Sequence, residues 1–573
     1  MARRRWWETG ERSIGDEAAA FRAAGLAFDL DQQLFDANDV VIFRGELRLN
    51  ERRVPAEVRY PPAYADDEPV VVYAPALPVG RHRSRDGLLC LDHPVLGETS
   101  GMAGAEAVQR AERLWWLWEN DREQLGEEEA PAPDPRANQY LHDEASAVTL
   151  RDIDVDGFDE GQLRINLVSL QPLRGAVTMV NTTAPRQHDF SIDANRAVLA
   201  GLSIGGFWRR VHEPPRGFDA ATVYDWARKN AADLVEKANG LAEVDRGIRR
   251  GAAIPAIVGF VYPDEGPRRG EVHDQWLFLA VGHDNAVSLP RPILLREDER
   301  WLRQPQLRPL ASKKIGIVGV GALGSPLTAM LTRAGVGSHV LVDHDLFLAG
   351  NRVRHELDLG DLGNAKVKAM ASHMHRIDPW LEQVAIAGVR FGGATNSPAP
   401  DVQRLDDQVA RMLSDCNVIV NASAHTATGY HVSRLGREHG INVVHTWVSA
   451  GAWGGRVLVQ SESSGCTLCL AWAQAEPLEG VDPVPTVADD PDVGEVLERG
   501  CGDPTFTGPG FELVDAAAAA ARVVVQCLLD GDGYPGRNFD LVTLNFRDAI
   551  SARPATIYTK LPIHPKCTIC NGR

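Results

Sequence analysis

The 573-residue chain lacks an uninterrupted apolar run long enough to cross a bilayer. Its most apolar late stretch, FELVDAAAAAARVVVQCLLDG, is broken by Asp515 and Arg522 and reads as a buried helix. Basic residues are in deficit, 60 Lys and Arg against 78 Asp and Glu, for a formal net charge of −18. That balance argues against a general nucleic-acid binder, which needs a basic face. A local basic patch such as the ARRRWW start remains compatible with this balance, and the ETGERSIGDEAAA that follows it is no secretory apolar segment. A cytoplasmic protein with neither membrane nor nucleic-acid partner is expected. Cysteine is scarce, at eight residues. In a reducing compartment these are expected to be thiols, metal ligands or nucleophiles rather than disulfides.

No repeat of fixed period divides the chain, yet it is longer than one hydrophobic core usually serves. Three domains are expected, over residues 1–130, 140–295 and 300–573. The first boundary is GEEEAPAPDPRANQ (126–139), an acidic and proline-rich stretch suited to a linker. The second lies near LPRPILLREDERWLRQPQLRPL (289–310). The first segment mixes strand-like runs (DVVIFRGELRL, PVVVYAP) with a late helix whose Trp115, Trp116 and Trp118 are expected to pack a core. The middle segment promises strands (GQLRINLVSL, AAIPAIVGFVY, QWLFLAVG) and one helix (AATVYDWARKNAADLVEKANGL). It shows no metal-ligand spacing and no nucleophile motif.

The third segment carries the informative chemistry. In KKIGIVGVGALGSPLTAMLTRAGVGSHVLVDHD an apolar strand runs into Gly319-x-Gly321-x-x-Gly324, a helix follows, and a second strand ends at Asp343. Glycines here let backbone approach phosphate, and an acid about 20 residues on suits a ribose hydroxyl. That fingerprint alone suits a nicotinamide oxidoreductase. Downstream, however, Asn351, Arg352, Arg354 and Lys366 follow in one short stretch. Several cations and an amide suit a triphosphate attacked at its α-phosphorus, where charge builds up.

On these residues the segment resembles the ThiF/MoeB and ubiquitin-activating (E1-type) adenylation domains, in which a glycine turn, D-x-D, N-x-x-R and a lysine occur in this order. The resemblance implies that Asp343 holds the ribose and that Asn351, Arg354 and Lys366 hold the phosphates. Asp345 completes the Asp343-x-Asp345 pair, and the reaction implied is ATP- and Mg2+-dependent activation of a protein's C-terminal carboxylate. One departure stands out. The family's D-x-T-D after a later strand is here Asn421, Ala422, Ser423 and Ala424, so the acid expected to help with Mg2+ is missing: either Asp345 or another acid serves instead, or activity is weaker than in the family.

Four cysteines form two C-x-x-C pairs, Cys466/Cys469 and Cys567/Cys570, which together suit a closed structural Zn2+ site; a redox reading of each pair is the alternative. Cys416 and Cys527 sit in apolar runs and read as small buried hydrophobes. Cys501, in LERGCGDPTFTGPGFEL, sits on a glycine- and proline-rich loop where a thiol can attack an acyl-adenylate; an idle surface cysteine is the alternative.

Cys90 lies in RHRSRDGLLCLD. With FRGELRLNERRVPAEVRYPPAYADDEPVVVYAP before it, this region resembles a divergent ubiquitin-conjugating (E2-type) domain. Gly87, Leu89, Cys90, Leu91 and Asp92 match that family's motif around the active cysteine, and His82 is its upstream histidine. Ser84 stands where the family has an asparagine, with His93 or a backbone amide as substitutes. The alternative is a core cysteine between leucines. An E2-type domain ahead of an E1-type domain is similar to the fusion protein of bacterial CBASS antiviral operons.

The expected fold class is therefore multidomain α/β. It combines a C-terminal Rossmann-like ThiF/E1 adenylation domain with a mainly parallel sheet, an N-terminal α+β E2-like domain and a middle α+β domain. The expected function is a relay: adenylation of a partner's C-terminal tail, thioester on Cys501, transfer to Cys90, and conjugation to a target lysine. The resemblance implies a cGAS-like nucleotidyltransferase or a ubiquitin-like protein as that partner, and a homodimer. Competing readings are a sulfur-carrier adenylyltransferase, a nicotinamide oxidoreductase, and a nucleotide-binding scaffold without turnover.

Overall fold

The computed structural model describes the chain apart from a set of segments, the longer of which are 78–86, 92–101, 121–139, 188–202, 245–252, 266–271, 393–399, 497–504 and 548–553. His82, Ser84, Cys90, Asp92, His93, Cys501 and the whole 126–139 stretch lie outside the described residues. The chain divides into two compact units, Met1–Leu295 and Arg296–Arg573.

In the first unit, strands Phe28–Leu30, Ile42–Leu49, Arg52–Arg59 and Val71–Tyr73 form an antiparallel meander. Alternation along Ile42–Leu49 turns Phe43, Leu47 and Leu49 to the core and Arg44 and Arg48 outward, as a strand's twofold period requires. Helices Ile14–Ala23 and Gly104–Asn120 close over that face through Phe21, Ala107 and Val108. Of the clustered tryptophans, Trp115 is buried but Trp116 is 46% exposed, correcting the expectation that both pack a core. Adjacent helical residues point about 100° apart, so one apolar stripe cannot take both. The Trp118 side chain lies outside the described residues.

A buried carboxylate fastens this region together. Glu17 accepts from Tyr60 Oη (2.8 Å), Tyr64 Oη (2.6 Å) and the Gly104 N–H (2.9 Å). Burial and the Glu17 charge raise both phenol pKa values. Helix Ile14–Ala23, Tyr60, Tyr64 and the start of helix Gly104–Asn120 thus meet at one point. Both neighbours of Cys90 are also anchored: Leu89 N–H donates to Val72 O (2.8 Å), and Leu91 O accepts from Arg110 Nε (2.7 Å). Gly87 has φ +96, and a Cβ there would come within 2.8 Å of Pro75 Cα.

The same unit holds a nine-stranded mixed sheet containing the expected strands Glu160–Leu170, Ala256–Glu265 and Val272–Val281. The single helix expected over AATVYDWARKNAADLVEKANGL is two, Ala220–Asn230 and Ala232–Leu241, broken at Ala231 (φ −149, ψ 46). Asn230 Nδ2 donates to Trp226 O (2.8 Å), a local bond of the kind that competes with continuation of a helix.

The second unit is built on β1 (Lys314–Val318), α1 (Gly324–Arg333), β2 (Ser338–Val342), α2 (Lys366–Ile377), β3 (Gln383–Ala387), α3 (Pro400–Ser414), β4 (Val418–Asn421), α4 (Thr426–His439), β5 (Asn442–Val448), β6 (Gly454–Gln460), α5 (Thr467–Ala475), α6 (Gly510–Leu528), β7 (Leu541–Asn545) and β8 (Ala555–Thr559). The sheet order is 3-2-1-4-5-6-7-8. Strands β1 to β5 run parallel, whereas β6, β7 and β8 add on antiparallel. The alanine-rich α6 buries Ala516, Ala517, Ala520 and Val524 completely but leaves Phe511 66% exposed, so it is a one-sided helix rather than a fully buried one. Among the described residues no helix is long and apolar enough to span a membrane.

His339 in the middle of β2 is fully buried, and among the described residues neither ring nitrogen has a hydrogen-bond partner. Burial, with a smaller push from His375, lowers its pKa to about 3. Below the unfolded value near 6.5 an unfolded chain binds a proton that the folded chain refuses, so stability is lost as pH falls from about 6.5 toward 3. His339→Leu removes two unsatisfied polar atoms, each worth about 1–3 kcal/mol when left unpaired. It is expected to raise the denaturation midpoint of the full chain and flatten its acid limb in urea melts between about pH 7 and about pH 4. An unchanged acid limb would show that His339 does not report this cost.

Candidate active site

The order 3-2-1-4-5 places a topological switch point between β1 and β4, where open α/β sheets bind ligands beyond the carboxyl ends of their strands. The glycine turn sits there. Gly319 has φ +90, and a Cβ on it would lie 2.7 Å from both N and Cα of Ser423 in the turn after β4. A Cβ on Gly324 would lie 1.9 Å from Gly319 O. Around Gly321 a Cβ would meet nothing within 4 Å, so the space beside it is open. Two of the three glycines therefore close the turn and one leaves room beside it.

Asp343, immediately after β2, braces the turn directly. Its Oδ2 accepts from Val320 N–H and its Oδ1 from Asp345 N–H, both at 2.8 Å. Each oxygen keeps acceptor capacity for a further donor. Asp345 pairs with Lys366 twice: Oδ2 to Nζ at 2.9 Å, and its carbonyl accepts Lys366 N–H at 2.9 Å. Partial burial pushes the Asp345 carboxyl up, but the Lys366 hydrogen bond and charge outweigh it and leave the pKa below the usual range. Lys366 reaches this position because the Leu346–Ala365 bridge and the Phe347 N–H to Asn364 O bond (2.8 Å) fold the loop back beside the turn.

Asn351 and Arg354 lie in and just after a short 3-10 turn, Ala349–Val353. Asn351 Oδ1 accepts from Leu348 N–H at 2.9 Å, so its carbonyl is committed to the backbone. The structure thus ties Gly319, Asp343, Asp345 and Lys366 into one connected set. Asn351 and Arg354 follow on the same β2–α2 connection.

One participant carries no signal in the sequence motifs. His355 Nε2 lies 2.7 Å from Val320 O, and its Nδ1 accepts from Leu357 N–H at 3.1 Å. Burial lowers its pKa to about 4, against the opposing Val320 hydrogen bond. Its position directly after Arg354 is the available hint, but a lone histidine obeys no spacing rule.

The turn after β4 has no carboxylate. Asn421 Oδ1 accepts from Ser423 Oγ at 2.8 Å and Ser423 N–H at 3.3 Å, and its Nδ2 lies 3.2 Å from His445 Nδ1. His445 Nε2 continues to Ser433 Oγ (3.1 Å), which meets Thr467 Oγ1 (3.1 Å). Burial drives the His445 pKa down to about 3, so this internal chain is neutral. Ala424 sits at φ +56, where a residue with a Cβ is strained. The carboxylates clustered beside the glycine turn are Asp343 and Asp345, whose oxygens lie with a His344 nitrogen within 4.8 Å of one another. Together these three residues form a group that could hold a metal ion.

The four paired cysteines converge although 101 residues separate the pairs. Sγ–Sγ distances are 3.9 Å (Cys466–Cys469), 3.5 Å (Cys466–Cys567) and 3.6 Å (Cys469–Cys570). A disulfide needs about 2.0 Å. Four thiolates about 2.3 Å from one tetrahedral ion stand about 3.8 Å apart, so the set fits Zn2+. Surrounding N–H groups support thiolate charge: His564 N–H on Cys469 (3.4 Å), Cys570 N–H on Cys567 (3.4 Å) and Arg437 Nη2 on Cys570 (3.2 Å). Donation from Cys466 and Cys469, and behind it the Arg437 charge, hold the Cys570 thiol well below its ordinary value. Of the other described cysteines, Cys416 is buried as expected, whereas Cys527 is only partly so. The Cys501 segment, 497–504, connects two paired strands, Glu495–Val496 and Thr505–Phe506.

Elemental analysis of the purified chain is expected to give about one zinc per molecule, lost in Cys567→Ser together with several kcal/mol of stability, since metal binding contributes directly to folding. Full metal content in that variant excludes the four-sulfur site.

Residues 298–526 match the model of the ThiF family. The uncharacterized protein y4qC of Sinorhizobium fredii (strain NBRC 101917 / NGR234) is 30% identical over 268 residues, 46% of this chain and 45% of y4qC. The chain thus spans less than half of that relative's length. The uncharacterized protein y4oA of the same strain is 26% identical over 592 residues, covering 95% of this chain and 93% of y4oA. The ATP-dependent ubiquitin transferase-like protein Cap2 of Pseudomonas aeruginosa (strain BWHPSA011 / Pa011) is 40% identical over 96 residues, 16% of this chain and 18% of Cap2. With the glycine turn at the switch point of a 3-2-1-4-5 sheet, these matches identify the C-terminal half of the chain as carrying a ThiF-family domain.

Proposed function

We propose that this protein adenylates the C-terminal carboxylate of a partner protein and passes the acyl group through two of its own thiols to an amine. The observation that carries the reading is the joining of the glycine turn, Asp343 and the Asp345–Lys366 pair at one switch point, with Asn351 and Arg354 on the same connection. A carboxylate oxygen attacks the α-phosphorus of ATP, and pyrophosphate leaves. Lys366 and Arg354 offset the charge that builds on the phosphoryl oxygens, the kind of fixed electrostatic help that lowers such barriers most. Asp345 would be the carboxylate that holds a Mg2+ beside the phosphates, and the ion would supply Lewis-acid stabilisation there.

The Cys501 thiolate then attacks the acyl carbon and AMP leaves. Cys90 thiolate attacks the resulting thioester and releases Cys501, and a lysine amine finally displaces Cys90 to give an amide. The similarity to Cap2, an ATP-dependent ubiquitin transferase-like protein, supports this reading over a sulfur-carrier adenylyltransferase, which needs no second thiol domain. A cGAS-like nucleotidyltransferase in antiphage defence is the partner we propose, in a homodimeric cytoplasmic enzyme.

One observation favours a second reading, a nucleotide-binding scaffold without turnover: the turn after β4 offers Asn421, Ser423 and Ala424 in place of acids. The experiment that decides is a trap. Cys90→Ser, expressed beside its genomic neighbours, is expected to accumulate a protein C-terminus as an oxyester on the introduced hydroxyl, read by intact mass and peptide mapping. The adduct is expected to vanish when Cys501 is also changed to Ala. ATP-dependent adducts confined to Cys501 would remove the conjugation step. Absence of pyrophosphate exchange with every partner C-terminus would leave the scaffold.

A further inference from the structure

The peptide unit between Val320 and Gly321 is gripped by a side chain with no part in the proposed chemistry. Because Leu357 N–H donates to His355 Nδ1, that nitrogen is the acceptor, and the ring proton of the neutral imidazole resides on Nε2. Nε2–H therefore donates to Val320 O at 2.7 Å. The ring is itself fixed, packed 5.1 Å from the buried Phe347 ring. On the other side of the same residue, Val320 N–H is held by Asp343 at 2.8 Å. Val320 is thus fastened through both of its backbone polar groups.

A trans peptide is planar, with the carbonyl of one residue and the N–H of the next pointing in opposite directions. Fixing Val320 O on His355 therefore aims the Gly321 N–H away from the histidine. Among the described residues nothing accepts from that N–H, and the space beside Gly321 is open. Without the clamp the Val320–Gly321 peptide is free to rotate, since glycine on its far side imposes no Cβ constraint.

We infer that His355 is a positioning residue: by holding Val320 O it presents the Gly321 N–H to a phosphate oxygen of the bound nucleotide. The inference rests on the ATP reading above. It assigns to His355 the phosphate part of nucleotide affinity and none of the adenosine part.

Isothermal titration of the full chain with ATP and with adenosine separates these. His355→Leu is expected to weaken ATP binding about fivefold, the scale of one lost hydrogen bond, and to leave adenosine within about twofold. His355→Gln carries a donor of similar reach and is expected to recover most of the ATP affinity. His355→Asn keeps a polar group near Leu357 but falls short of Val320, and should match the Leu variant even if that one folds poorly. Equal losses for ATP and adenosine, unchanged ATP affinity in both Leu and Asn variants, or no recovery with Gln overturns the inference. A wild-type chain that binds neither ligand overturns the ATP reading itself, and this assignment with it.

Discussion

The candidate site depends on how closely two backbones approach at the switch point. The turn after β1 and the turn after β4 come near enough that a single methyl on Gly319 would lie 2.7 Å from Ser423 backbone atoms. With no room for a side chain, the turn's shape is set by main-chain hydrogen bonds and by the groups that answer them. Asp343 and His355 take the two polar groups of Val320, and Asn421 takes the hydroxyl and amide of Ser423. The turn is therefore held by side chains that answer its main-chain groups.

The same logic explains how the second unit tolerates buried polar groups near its centre. The chain from Ser423 through Asn421, His445 and Ser433 to Thr467 is satisfied end to end and neutral, and it runs from the switch point to the residue following Cys466. A carboxylate at Asn421 would face the buried His445, whose environment favours the uncharged ring. The missing acid is thus matched by its surroundings rather than left as a vacancy in an otherwise acidic site. The carboxylates stand instead at the end of β2, where Lys366 offsets the charge on Asp345.

Much of this is legible in the sequence because the signals are periodic or spaced. The apolar run before Gly319, the glycine spacing and the acid at Asp343 describe a strand, a turn and a next strand, and those elements form as β1, α1 and β2. Two C-x-x-C pairs predict a four-sulfur cluster without saying how Cys567 and Cys570 fold back to complete it. What stays hidden depends on contacts made across the fold. Nothing near Glu17 marks it as the common acceptor of Tyr60, Tyr64 and Gly104, since those partners lie 43, 47 and 87 residues away. His355 carries no motif, because its partner is a backbone carbonyl and any residue supplies one. The exposure of Trp116 and the break at Ala231 escape for a simpler reason: composition gives the apolar content of a helix but not which residue falls off its buried stripe.

The four-sulfur cluster has a consequence for the connectivity of the chain. It joins Cys466 to Cys567, so with a metal in place the intervening residues become a closed ring that contains the Cys501 segment, α6, β7 and β8. Closing a ring of about 100 residues restricts the unfolded chain by about 4–5 kcal/mol of configurational entropy in the cross-link model. A backbone cut anywhere in that ring does not separate the molecule into pieces, because both ends stay tethered at the sulfurs. Strands β7 and β8 are likewise secured twice, by the sheet hydrogen bonds that join β7 to β6 and β8 to β7, and by the sulfurs that follow them in the chain. In this sense the cluster works as a mooring: the return of the chain to the sheet is fixed at its far end as well as along its length.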